Sequence, residues 1–403
     1  MHSERKEYPV EILRGPFKYS LFKPFVPKKK ALELLEECFD SGWIGEGPKV
    51  KEFERHICEV VDNKYFTALN SGTSALEMAL TFCKTIPQEK DIVITTPMTC
   101  MATTIAILNV GLKPYFVDID PFTGLLSPLA LEGIPGNIKE KAAALVTVHW
   151  GGNTINIVGL SEFANKHGIM IVEDAAHALG STTHALDGDS AIVGGWNAPG
   201  DFTCFSFQAI KHVTTGDGGG VSFKHKKHWE RSKPFKWFGI PRDERKEHIL
   251  GHSSYDIIEA GRKWQMNDIA ASIGIASLSD FKRNLERRRK VAAIYDDYFP
   301  VITKKGDFPV SVITSPGSSY WLYTILVRDP YHFSESMRAQ EIEVSNVHVR
   351  NDNYSVTDGF TGGRLKMPGL DYFSEHAMCI PIGPWITDDD ASFIAKKALQ
   401  FGK

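Results

Sequence analysis

Between residues 65 and 223 one pattern repeats: a short apolar, β-branched run, a stretch with helical spacing, then another run. The runs are Tyr65–Asn70, Asp91–Thr96, Lys113–Asp118, Ala143–His149, Ile169–Glu173, Asp201–Phe207 and Gly220–Phe223. Helix-like stretches at Thr73–Cys83, Thr103–Asn109 and Leu160–His167 lie between several of them. Strands separated by helices pair side by side through crossovers, and near-continuous apolar strands need cover on both faces. The prediction is an α/β fold around a largely parallel sheet. Ser71 ahead of Thr73 makes a good N-cap and leaves backbone N–H groups pointing outward at a strand end.

The texture changes near residue 260, so the division falls into a large domain, 1–260, and a smaller C-terminal α+β domain, 261–403. A chain of 403 residues can bury a core of that extent. A helical stretch runs from Asn267 through Tyr298 and contains Glu286-Arg287-Arg288-Arg289-Lys290, which reads as a solvated helix face. Strand-like Tyr320–Val327, a helix near His332–Gln340 and a closing helix Asp388–Leu399 complete the smaller domain. The amphipathic segment Lys28–Asp40 suits either domain, and Lys28-Lys29-Lys30 reads as its solvated start.

A net charge of -3 gives no electrostatic footprint for nucleic acid or an anionic membrane, so any phosphate must be held by a local site. No stretch approaches the roughly 18 apolar residues of a membrane span. The opening residues lack the apolar run of a signal peptide. The six cysteines have no CxxC spacing and the 14 histidines no metal-ligand spacing. The expectation is a cytoplasmic protein with free thiols, binding neither metal nor nucleic acid.

Four segments sit where a parallel sheet delivers functional groups, at strand ends and the loops beyond them. Ser71-Gly72-Thr73-Ser74 suits a phosphate at a helix N-terminus, though on its own an ordinary capped helix is the better reading. In Val172-Glu173-Asp174-Ala175-Ala176-His177, a carboxylate at Asp174 needs a partner once buried. A protonated pyridine nitrogen would serve and would keep that ring an electron sink; a helix-capping role is the other reading. Phe205-Ser206-Phe207-Gln208-Ala209-Ile210-Lys211 ends a strand on a lysine that can condense with an aldehyde and then move protons. Ser206 can donate to the same phosphate. Thr214-Thr215-Gly216-Asp217-Gly218-Gly219-Gly220 suits unusual backbone angles near a ligand or a flexible hairpin. No strand-GxGxxG-helix order supports a dinucleotide site.

In this order the four segments resemble the fold-type-I aminotransferases, and more closely the DegT/StrS-type sugar aminotransferases. Asn70 to Leu76, Thr96-Pro97-Met98-Thr99, Phe116 to Asp120, Glu173 to Ala178 and Phe205 to Gly219 carry the likeness. Met266 to Ala271 and Val347-His348-Val349-Arg350-Asn351-Asp352 extend it into the later half. The resemblance implies a fold-type-I PLP-transferase that moves an amino group, usually from L-glutamate, onto a keto carbon of a nucleotide-linked sugar. It implies pyridoxal 5'-phosphate held by Lys211 as a Schiff base, with Asp174 at the pyridine nitrogen and His177 near the phenolic oxygen. Gly72, Thr73 and Ser206 would hold the phosphate, and the sites would be shared between the subunits of a homodimer.

Two positions depart from the family pattern. Cys100 stands where relatives carry a ring-stacking aromatic, so either it or Met101 is expected against the pyridine. Lys263 stands where relatives tend to have an asparagine given to the phosphate by the neighbouring subunit; a lysine could act there as a point charge, or be a surface lysine on a loop. Four further residues are candidates for substrate contact: Trp43, His149, His348 and Arg350, the last as a partner for a diphosphate or a carboxylate. For Trp43, His149 and Arg350 a structural role fits as well. Two other functions share the scaffold. A sugar dehydratase would replace the lysine, commonly with histidine, whereas here Lys211 keeps the position and His212 follows. A non-catalytic relative would be expected to lose Lys211 or Asp174.

Overall fold

The computed structural model describes residues 17–84, 89–154, 157–185 and 189–403; most of the opening segment read above lies outside them. The apolar runs become β1 (Phe66–Leu69), β2 (Ile92–Thr95), β3 (Lys113–Phe116), β4 (Ala142–Val148), β5 (Met170–Asp174), β8 (Phe202–Ser206) and β9 (Gly219–Phe223). The hairpin β6 (Thr182–His184) and β7 (Ser190–Ile192) stands apart from them. The main sheet has seven strands in the order β1-β9-β8-β5-β4-β2-β3. Only β9 is antiparallel to its neighbours. It follows β8 with no helix to carry the chain back across the sheet, which a parallel pairing requires.

Four helices flank the first half: α1 (Lys28–Ser41), α2 (Pro48–Val61), α3 (Gly72–Cys83) and α4 (Met101–Asn109). The side chain of Ser71 accepts from Ser74 N at 3.0 Å and fixes where α3 begins. Ala75, Met78, Ala79 and Leu80 of α3 then pack against Val93, Val146, Val172, Phe202 and Val221 of the sheet. The helix therefore opens at the carboxyl edge of the strands. Gly219 fixes that approach: a Cβ there would stand 2.3 Å from the Ser71 carbonyl carbon. Lys28, Lys29 and Lys30 are exposed at the start of α1, as read from the sequence.

Beyond residue 260 the single helical stretch resolves into two helices, Asp268–Leu278 and Phe281–Asp296. The first packs with α2 through Ala271, Ile275, Val50 and Phe53. The second joins the last core through Val291, Ala292 and Tyr295, together with the strand Tyr323–Leu326 and the closing helix Asp388–Phe401. That strand is the centre of a three-stranded antiparallel sheet with Val310–Ser311 and Ala377–Ile380. The outer two escape a periodicity reading because one is a two-residue strand and the other follows directly on the helix Pro368–His376.

The solvated-face reading of the charged run is corrected by its contacts. Glu286 and Lys290 are exposed, but Arg288 is buried and its Nη1 donates to the carbonyls of Ile382 at 2.9 Å and Tyr320 at 3.1 Å. Arg289 donates to Ser318 O and Gly180 O, and Arg287 to Ile386 O. These loop carbonyls lie outside any sheet ladder, and the forked guanidinium donors satisfy them.

Candidate active site

A cavity of about 360 Å³ opens at the carboxyl ends of β4, β5 and β8, between the first turns of α3 and α4. Its size and its few convergent polar groups are those of a small-molecule site. On its floor, Asp174 ends β5 and is 5% exposed. One carboxylate oxygen accepts from Thr103 Oγ1 at 2.6 Å, and Thr103 is itself paired with Thr99 Oγ1 at 2.7 Å. The other accepts the Ala176 N–H at 3.1 Å. A carboxylate can accept about four hydrogen bonds, so this one keeps capacity for a cationic N–H.

Lys211 leaves β8 through the turn at Phe207–Ile210 and points its amine into the same space. Burial pushes that amine down to about 8, while Asp174 and Cys100 pull the other way. A lysine so placed is about one tenth free base at pH 7, far more than an ordinary lysine, and that is the form that attacks a carbonyl. At the opposite end, Gly72 and Thr73 open α3, and Ser206 stands beside them. A Cβ at Gly72 would come within 2.9 Å of Ser206 Cβ, so the bare backbone is what lets the two elements meet. Free N–H groups of a helix start beside a serine hydroxyl form an anion cradle.

The remaining wall is aromatic. His177, following β5, stacks on Trp321 with centroids 3.7 Å apart and planes 14° from parallel. His348 lies 5.7 Å from His177, also stacked. Burial, reinforced by Lys211, drives His177 well below its ordinary range and His348 down to about 4. Both rings are neutral at pH 7, and His177 Nδ1 and His348 Nε2 have no protein partner. Buried nitrogens in that condition suit a ligand. Cys100 caps α4 at the cavity rim, where its small side chain leaves Trp321 as the large ring in the cavity; Met101 is not among the lining residues.

Of the sequence candidates, Gly72, Thr73, Cys100, Asp174, His177, Ser206, Lys211 and His348 meet in this cavity. Four others do not. His149 is corrected to a buried partner of Glu173, at 2.6 Å, beneath the floor. Arg350 is corrected likewise: it is 2% exposed and forms two 2.7 Å bonds to Asp352 plus an ion pair with Asp371. Those carboxylates, together with the Leu365 carbonyl, occupy its guanidinium. Trp43 is exposed, and Glu46 three residues on ties its loop to Lys236 at 2.6 Å and Arg242 at 3.0 Å. Lys263 belongs to that same patch, its Nζ 5.2 Å from the ring centres of Trp237 and Phe238.

Thr99, Thr103, Asp217 and Trp321 line or support the site and were not singled out from the sequence. For Thr99 a signal existed, since it closes the Thr96-Pro97-Met98-Thr99 segment; Trp321 lay inside a predicted strand with nothing local to mark it.

The model of the DegT/DnrJ/EryC1/StrS aminotransferase family matches residues 27–398. A UDP-4-amino-4,6-dideoxy-N-acetyl-beta-L-altrosamine transaminase from Campylobacter jejuni is 29% identical over 370 residues, covering 90% of this chain and 92% of its own. Among solved structures, AtS13 from Actinomadura melliaura superposes with a TM-score of 0.84 at 31% identity, covering 96% of this chain and all of its own. The sugar aminotransferase CalS13 from Micromonospora echinospora gives 0.83 at 28%, over 95% and 99%.

Proposed function

The chain belongs to the DegT/DnrJ/EryC1/StrS aminotransferase family, and from that premise we propose that it moves an amino group from L-glutamate to a keto carbon of a nucleotide-linked keto-deoxysugar. The observation that carries the reading is the convergence on one cavity of a lysine amine held near 8, a buried carboxylate with spare acceptor capacity and a free helix start. The similarity to a nucleotide-sugar transaminase and to a sugar aminotransferase over nearly the whole chain supports the same substrate class.

These residues fit pyridoxal 5'-phosphate. That cofactor, when bound, supplies an aldehyde for the lysine and a ring that withdraws electrons from the substrate carbon. Lys211 would hold it and, once released, carry the proton between carbon atoms as base and then acid. Asp174, fixed by Thr103 and the Ala176 N–H, would keep the ring nitrogen protonated. Gly72, Thr73 and Ser206 would bind the phosphate, Cys100 would border the ring, and neutral His177 would donate or accept near the ring oxygen. His348 faces the same space and is a candidate for contact with the sugar.

Lys211 is the only lysine or arginine among the described cavity-lining residues, against two carboxylates, Asp174 and Asp217. A cofactor phosphate, a glutamate carboxylate and a nucleotide diphosphate all lack a cationic partner there. This supports a homodimer in which the patch of exposed Trp43 and Lys263 and half-buried Arg242 of one subunit completes the site of the other. The purified protein, incubated with cofactor, glutamate and a panel of nucleotide-linked keto sugars, should add one amino group to a panel member, read by mass. Borohydride should fix the cofactor to the Lys211 peptide. An adduct on another lysine, or no amination across the panel, would remove the proposal.

A further inference from the structure

The chemistry proposed above leaves the largest ring in the cavity without a task. Trp321 is 2% exposed, and Lys211 Nζ stands over its ring 3.8 Å from the centre. Its indole N–H donates to the carbonyl of Ile210 at 3.0 Å, the residue just before Lys211. One side chain therefore touches the lysine at both ends, at its amine and at the peptide that carries it. Trp321 is in turn held on several sides. His177 stacks on it at 3.7 Å, and Phe22 stacks at 5.0 Å. Arg288, reaching from the helix Phe281–Asp296, binds the carbonyl of Tyr320 at 3.1 Å.

We propose that Trp321 is a positioning residue for Lys211: its indole carries the amine whenever that amine is not attached to a carbonyl, and its N–H pins the turn from which the lysine rises. This rests on Lys211 being the cofactor-bearing lysine. An ammonium over an indole is attracted by the ring's quadrupole, and the attraction grows where water is excluded. The free base gains much less from the same contact. The indole therefore holds back part of the loss of charge that burial imposes, alongside Asp174 and Cys100. The other titratable groups facing the amine, His177, His348 and His212, are held neutral and add no repulsion.

The test uses the full chain freed of cofactor with hydroxylamine, and reads the pH midpoint of Lys211 acetylation by peptide mass. Trp321→Leu should lower that midpoint by about one to one and a half units, the size of a desolvated ammonium–indole contact. Trp321→Phe, which keeps a ring but lacks the N–H, should stay closer to the parent. In the cofactor-loaded enzyme, Trp321→Leu should lower kcat several-fold while KM for the amino donor changes less than about twofold. An unchanged midpoint in a folded Trp321→Leu protein would overturn the proposal. If that variant does not fold, Trp321→His, with a flat ring and a weaker π face, carries the same test. Its midpoint should fall below the parent's, and a parental midpoint there counts against the role equally. Failure of the cofactor assignment would show separately, in the borohydride map.

Discussion

On the sheet side of the cavity, the polar groups are braced from behind. Thr103 and the Ala176 N–H hold Asp174, Thr99 holds Thr103, and Ser71 fixes the turn from which Gly72 and Thr73 face inward. On the facing side, supplied by residues beyond 300, Trp321 and His348 arrive on irregular backbone, fixed by ring packing and by arginine donors to loop carbonyls, and His348 Nε2 has no partner. The first wall places charge and hydrogen bonds where they are needed before any ligand arrives. The second places surfaces. The difference teaches that losses on the sheet side should fall on the chemistry itself, whereas losses on the facing side should fall on where groups stand.

Asp174→Ala gives the largest expected effect. It removes the one buried carboxylate among the described lining residues and, on the proposed function, the partner of a protonated ring nitrogen. The loss should be at least about a hundredfold in kcat, matching the roughly 3 kcal/mol or more that an unpartnered buried charge costs. Circular dichroism and a thermal melt should show the protein folded. Near-normal turnover in folded Asp174→Ala would end the contrast between the walls, because the braced carboxylate would then be dispensable.

Thr103→Val sharpens the same contrast. Valine keeps the shape and deletes one hydrogen bond to a carboxylate, leaving the Ala176 N–H in place. Bonds to charged groups contribute about 1.5–3 kcal/mol, so a drop of roughly tenfold in kcat is expected, smaller than for Asp174→Ala. If Thr103→Val matches the parent in both turnover and cofactor retention, bracing from behind has no consequence for the floor.

The two walls also differ in how far local sequence reveals them. Strands buried on both faces read as near-continuous apolar runs, so β1 to β5, β8 and β9 are visible as runs, and what stands at their ends follows. Asp174 and Lys211 are legible for that reason. Trp321 is not, because a tryptophan within a predicted strand is ordinarily core, and its approach to Lys211 depends on contacts between residues 111 positions apart. The arginine run misleads for a related reason: helical spacing is the same whether loop carbonyls or water receive the donors. Arg350 and Asp352, two residues apart, form their own bidentate pair, which a motif match cannot separate from a pair awaiting substrate. Ligand-binding segments built from distant loops share this property.

Lys263 carries the smallest predicted effect and the sharpest geometry, because neither wall supplies a cation for a phosphate. Its peptide lies beside the head of α3: Asn70 N donates to Trp264 O at 2.7 Å, one residue before Ser71. Its amine, however, points away toward Trp237 and Phe238. Three arrangements are compatible with that placement: an amine that swings back to its own α3, one that reaches the α3 of a second subunit, or a surface amine that touches neither. In the first two the amine would add one full charge to a cradle of neutral donors. Lys263→Ala should therefore weaken cofactor retention several-fold while leaving turnover of the loaded enzyme close to the parent. The loss should shrink at high salt, as for any partly exposed charge pair. Mixing Lys263→Ala with Lys211→Ala chains separates the second arrangement from the other two. Across an interface, one site of each mixed dimer combines an intact Lys211 with the partner's intact Lys263, and cofactor affinity at that site returns to the parental value. Within a subunit, no site of the mixed dimer is whole. Demonstrated subunit exchange without recovery would then place Lys263 in its own subunit's site or on the surface, and the phosphate would be held unaided by a neighbour.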